Sequence, residues 1–144
     1  MERPIEAGAA RARGGAVLLE LQWFGKQANR LPEALWLGFD LPGAAMRGWR
    51  MLKLGTWIGP LEVVRDGNRR LHAAQALEHT DGRSRLRIEL LDAALVAPGE
   101  PSLLNFTNRQ PAGGAMHVNL YNNVWGTNFP MWSDDDARFR FVLR

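Results

Sequence analysis

Apolar residues along this chain recur mostly with the two-residue period of strands rather than the 3.6-residue period of helices. In EALWLGFDL (33–41), Leu35, Leu37, Phe39 and Leu41 share one face, and Pro32 and Pro42-Gly43 punctuate the ends. AMHVNLYN (115–122) alternates in the same way, with Met116, Val118 and Leu120 on one face and His117, Asn119 and Tyr121 on the other. RFRFVL (138–143) groups Phe139, Phe141 and Leu143, while VLLELQWF (17–24) is apolar enough for a buried strand. WRMLKLGTWI (49–58) predicts a strand rather than a helix, because Gly55, Thr56 and the Trp residues favour extended backbone.

Two Asp-Gly pairs predict tight hairpins, since Asp-Gly supplies the positive φ that such turns need. LEVVR and RRLHA flank Asp66-Gly67-Asn68, and QALEH and SRLRIELL flank Asp81-Gly82-Arg83. In the second hairpin Leu86, Ile88 and Leu90 point inward and Arg85, Arg87 and Glu89 outward. APGEP (97–101) and TNRQPAGG (107–114) read as loops around a short LLNF run. About eight short strands with no long helix indicate an all-β fold, an antiparallel β-sandwich.

The 144 residues suit one domain. The Ala- and Gly-rich start MERPIEAGAARARGG predicts a mobile leader over 1–15, ahead of a single sandwich domain at 16–144. With no Cys there is no disulfide framework, Cys-ligated zinc or thiol nucleophile. The net charge of +3 comes from sixteen Arg against two Lys and is spread along the chain. A nucleic-acid partner is therefore not expected, and RSRLR (83–87) reads as a solvated strand face. No apolar core of a signal peptide follows the N-terminal arginines. The long charge-free run of residues 110–133 contains Asn119, Asn122, Asn123, Asn128, Pro130 and several Gly, which do not suit a bilayer span. A soluble chain, cytoplasmic by default, is the expectation.

That charge-free run is also the strongest chemical signal, with four Asn and two Trp together. Planar amides match sugar hydroxyls as donor and acceptor, aromatic faces stack on sugar C–H groups, and an uncharged cleft avoids desolvating unpaired charge. The alternative is structural: Asn122, Asn123 and Asn128 satisfy backbone groups while Trp125 and Trp132 fill the core. Other candidates are weaker. His72, His79 and His117 lack metal-ligand spacing. Asp134 and Asp136 would lie about 7 Å apart on one strand face, within the span of an inverting glycosidase pair. They read more simply as a solvated turn, with Arg138 and Arg140 near enough to pair with it. No nucleophile elbow or phosphate-binding glycine loop is present.

The ending NLYNNVWGTNFPMWSDDDARFRFVL, with N-N-x-W-G-T-N-F-P followed by acidic residues and F-R-F, resembles the C-terminus of glycoside hydrolase family 38-like enzymes, the α-mannosidase group. It resembles still more closely a related set of large microbial proteins sharing that ending. LLDAALVAPGE (90–100) and LQWFGKQANRLPEALWLGF (21–39) extend the resemblance over most of 17–143. It implies the late part of a galactose-mutarotase-like supersandwich in a retaining, zinc-dependent hydrolase. In such enzymes a barrel supplies the Asp nucleophile, the acid/base carboxylate and the zinc. No catalytic residue carries over to this chain, and zinc would belong to the missing catalytic domain, so no cofactor is expected here. The residues matching the motif, Asn122, Asn123, Trp125, Thr127, Asn128 and Trp132, become the carbohydrate-proximal candidates. The implied partners are a catalytic glycosidase domain, or a second copy through exposed sheet edges, and a neutral carbohydrate. Ser133 departs from the aromatic residue of relatives, and the chain starts partway through what resembles a longer sandwich. A free-standing carbohydrate-binding module and a purely structural or interaction domain are the alternatives.

Overall fold

The computed structural model describes residues 6–11, 14–101, 107–124 and 132–144. Among them run strands β1 (Glu6–Arg11), β2 (Val17–Trp23), β3 (Ala34–Phe39), β4 (Trp49–Lys53), β5 (Thr56–Ile58), β6 (His72–Ala73), β7 (Ala76–Thr80), β8 (Arg85–Leu90), β9 (Leu95–Pro98), β10 (Met116–Asn122) and β11 (Ala137–Leu143). The only described helical segments are single 3-10 turns at Met46–Gly48 and Pro60–Glu62, so no helix is long and apolar enough to cross a membrane. The strands form a seven-stranded sheet, β1-β2-β11-β8-β7-β4-β5, and a four-stranded sheet, β3-β10-β9-β6. Every pairing is antiparallel, and the two sheets pack face to face as the expected sandwich.

Alternation drives this packing. Trp49, Met51, Leu77, Ile88 and Phe141 from the large sheet meet Phe39, Val96, Met116 and Val118 from the small one. Removing each such side chain from water contributes about 1.5–3 kcal/mol. Phe39 and Phe141 meet edge to face across the layers, centroids 5.9 Å apart. The buried Trp49 indole N–H donates to the Gly114 carbonyl at 2.7 Å. Gly114 itself admits the Ala44 carbonyl so closely that a Cβ there would lie 1.9 Å from its oxygen.

Several elements differ from the periodicity reading. Residues 6–11 of the expected leader are strand β1, in register with β2 from Glu6↔Gln22 to Arg11↔Val17. Backbone pairing needs no apolar side chains, and the β2 edge supplies the partners. Residues 49–58 are two strands, joined at Leu54 and Gly55, both at positive φ (48° and 82°). Leu95–Pro98, partly read as loop, is a strand between β10 and β6.

The first Asp-Gly hairpin does not form. Residues 61–65 make no ladder; Pro60 starts a 3-10 turn whose Glu62 carboxylate accepts the Gly59 N–H at 2.7 Å. The Arg69 guanidinium then takes the Leu61 and Val63 carbonyls at 3.3 and 2.7 Å, replacing cross-strand partners. The second hairpin forms as expected between β7 and β8, its turn held by Asp81, which accepts the Arg83 and Ser84 N–H groups.

Candidate functional site

The Asn-rich end of β10 departs from strict alternation. Its register against β3 shifts between Asn119 and Tyr121, so Leu120 is an extra, bulged residue. Beyond the bulge the faces exchange. Tyr121, expected beside His117 and Asn119, turns inward and meets the Trp23 ring edge-on, 5.9 Å between centroids. Trp23 packs in turn against Phe139 at 5.5 Å. Asn122 turns outward onto the face of Asn119, and its Nδ2 donates to Asn119 Oδ1 at 2.8 Å.

This end of the sandwich gathers the close of β2, the start of β3, the close of β10 and the lead-in to β11. Asn123 is the clamp that joins the close of β10 to the segment leading into β3. Its Oδ1 accepts the Glu33 N–H at 2.6 Å, and its Nδ2 donates to the Asn29 and Leu31 carbonyls at 3.1 and 2.8 Å. Its own N–H donates to the Glu33 carbonyl at 3.1 Å. Both ends of this buried amide are therefore committed to holding the 29–33 segment, as the structural alternative anticipates. Lys26 reinforces the same segment by pairing with Glu33 and lying 4.5 Å from the Tyr121 ring centroid. The Lys26 hydrogen bond, against a smaller cost of burial, holds the Glu33 carboxyl below its ordinary range. Burial would lower the Lys26 ammonium, but Glu33 and Tyr121 outweigh it and raise its pKa.

Trp132 does not fill the core. It is 42% exposed, and the Arg30 guanidinium lies 4.4 Å from its ring centroid. Leu31 beside this loop is 71% exposed. Trp125, Thr127 and Asn128 lie outside the described residues.

The acidic run anchors the approach to β11. Asp136 Oδ1 accepts the Gly25 N–H at 2.6 Å, and the Asp135 carbonyl accepts the Trp23 indole N–H at 3.2 Å. Arg140, expected to pair with this run, instead grips Asp92 with Nε and Nη2, both at 2.9 Å. The reason is that the β11–β8 ladder places Arg140 beside the exit of β8, facing the Leu91-Asp92 turn.

The three histidines do not converge. His72 is buried between the sheets, His79 packs edge-on against Trp49 at 4.9 Å, and His117 faces outward on β10. Among the described residues no group of His, Asp and Glu is arranged to hold a metal ion, so zinc has no ligand set to fit there. At the opposite end of the sandwich, His79 and Asp81 border an open groove of about 370 Å³ with Arg47 and Gly48. The Asp81 carboxylate there is already taken up by its own turn.

Sequence reasoning missed Trp36, Asn119 and His117 as a group. The signal was present in the alternation that sets Trp36 and His117 on the outer face, but a single strand's pattern does not say which residue stands opposite which. Comparison with protein-family models, with curated proteins and with solved structures gives no match for this chain.

Proposed function

We propose that this chain is a non-catalytic β-sandwich module of the kind that closes family 38-like glycoside hydrolases. It packs on a catalytic barrel supplied elsewhere and contributes Trp132 and Asn122 to the rim of a cleft for a neutral sugar. The observation that carries this reading is the contrast at the sandwich end: Asn123 and the Lys26–Glu33 pair lock the loop, while the Trp132 indole stays 42% exposed. An exposed indole offers an aromatic face that can stack on a sugar, and Arg30 of the clamped segment lies 4.4 Å from its ring centroid. The NNVWGTNFP ending supplies the family in this proposal.

The test is to mix the chain with a family 38-like catalytic barrel lacking its final sandwich strands. A one-to-one complex in sedimentation velocity, with a gain in mannosidase turnover that Trp132→Ala reduces, is the expected result. A barrel that neither binds the chain nor changes rate overturns the reading. The same exposed indole favours a second reading, a free-standing carbohydrate-binding module. Calorimetry of the isolated chain with methyl α-mannoside separates the two, since only the free-standing module gives heat without the barrel.

A further inference from the structure

An open sheet ends in edge strands, whose free N–H and C=O groups are templates for another strand. Three of the edges here are blunted: β5 has three residues, β6 has two, and β1 carries Glu6 and Arg11 at its ends. The remaining edge is not. β3 is six residues long, ends the small sheet and holds no charge and no Pro. Among the described residues it pairs with β10 alone, Trp36 across from Asn119 and Gly38 across from His117. The Glu33 and Leu35 carbonyls point toward β10, accepting from the Asn123 N–H and Asn119 Nδ2 at 3.1 and 3.3 Å. Backbone groups alternate sides along a strand, so Ala34, Trp36 and Gly38 direct theirs to the free edge.

We propose that β3 pairs with β3 of a second copy of this chain, antiparallel about a two-fold axis at Leu37, joining two small sheets into one continuous sheet. The register follows from symmetry. Residues opposite one another across a pair share a face, and neighbours along a strand do not. A symmetric antiparallel pair must therefore set one residue opposite its own counterpart. With Leu37 in that place, Trp36 stands opposite Gly38 of the second copy, Leu35 opposite Phe39 and Ala34 opposite Asp40.

Three features select this centre. Trp36 and Gly38 both turn their backbone groups to the free edge, so each N–H meets the other's carbonyl in the paired copies. Gly38 is exposed, and a Cβ there would meet only the His117 ring, at 3.4 Å, among the described residues. The indole of the second copy covers that bare backbone, as aromatic residues do across from edge glycines. The neighbouring centres are poorer. Centred on Trp36, two indoles meet and Phe39 faces Glu33; centred on Gly38, Trp36 faces Asp40 and Ala34 faces Pro42, which has no N–H to give. The inference is independent of the glycosidase kinship proposed above.

The test is sedimentation velocity of the intact chain, with introduced cysteines to report the register. A monomer–dimer equilibrium with Kd on the order of 10 μM is expected, and Trp36→Lys, which puts a charge on the edge, weakens it at least tenfold or so. The chain has no Cys of its own. Across a non-hydrogen-bonded antiparallel pair the Cα atoms stand about 4.5 Å apart, within reach of a disulfide. Leu37→Cys therefore gives a covalent dimer on mild oxidation, while Trp36→Cys, whose copies are offset along the strand by more than about 7 Å, does not. If Trp36→Lys does not fold, the two cysteine variants decide the question. A chain that stays monomeric at roughly 200 μM overturns the proposal. A dimer that Trp36→Lys leaves intact, or equal cross-linking by both cysteine variants, places the contact at another edge such as β1 and overturns it too. None of these results bears on the complex with a catalytic barrel, which is measured separately.

Discussion

Asn123 donates from Nδ2 to the Leu31 carbonyl at 2.8 Å, tying the end of β10 to a loop 92 residues earlier in the chain. With two further side-chain bonds to the same loop, this amide is the local organiser of the candidate rim. Asn123→Ala is expected to lower stability by about 2 kcal/mol in urea denaturation, water replacing part of what is lost. Asn123→Asp is the sharper probe. A carboxylate still accepts the Glu33 N–H but turns its second oxygen onto two carbonyls. The variant's loss of stability relative to the unsubstituted chain should therefore be larger at pH 7 than near pH 4, where a protonated carboxyl can donate. A difference from the unsubstituted chain that is the same at both pH values would contradict the clamp.

Glu78 is 1% exposed although it lies on an outer face, because Arg50 and Arg85 cover it. Burial would raise its carboxyl, and the two guanidinium hydrogen bonds overcome this and hold it below the ordinary range. Arg50→Ala and Arg85→Ala should each cost about 1 kcal/mol, since both arginines are largely exposed. The double variant leaves a buried carboxylate with no partner, so its cost should exceed the sum of the two. Simple additivity in a double-mutant cycle would refute that arrangement.

His72 is 4% exposed, and Lys53 Nζ sits 3.2 Å from its Nδ1. Burial first, then the Lys53 charge, lower its pKa from 6.5 to about 4. The unfolded chain takes up this proton near pH 6.5, and the folded chain does so only near pH 4. The stability that neutral His72 confers is thus fully present above pH 6.5 and is lost as pH falls toward 4, by an amount on the order of 3 kcal/mol. His117, lowered chiefly by burial, adds to the loss with the same sign. Denaturation midpoints across this range test the slope, and an imidazole resonance of His72 titrating near pH 6.5 would refute it.

Gly114→Ala should be among the more damaging single-methyl changes. The new Cβ falls on the Ala44 oxygen, and the shift it forces also disturbs the carbonyl that accepts the Trp49 indole N–H. A cost of about 2 kcal/mol, with altered near-ultraviolet dichroism from Trp49, is expected.

Among the described tryptophans, Trp132 and Trp49 stand at the two extremes of exposure, 42% and 0%. Trp132→Phe should remove a fraction of the fluorescence that acrylamide quenches readily, and Trp49→Phe a fraction that it does not. The opposite pattern would place Trp132 in the core and remove the rim.

Much of the fold is legible in local pattern. Leu35, Leu37 and Phe39, or Leu86, Ile88 and Leu90, alternate because one face of a strand must leave water, and Asp81-Gly82 turns because its own side chain satisfies the turn. The same logic misleads at Asp66-Gly67, where Arg69 side-chain bonds compete successfully with a ladder. It is silent on β1, whose pairing is carried by backbone groups that every residue possesses.

The candidate site divides along the same line. The sequence by itself determined that amides and indoles concentrate near residues 119–132 without a charge, and that apolar alternation builds a sandwich. Only the tertiary structure decided their roles, because a one-residue bulge at Leu120 exchanges the faces of every residue beyond it. That exchange sends Tyr121 to the core and Asn122 to the outside, while Asn123 spends its amide on a distant loop. Such outcomes depend on what the neighbouring strand presents, and a neighbour some 90 residues away along the chain leaves no mark in a local pattern.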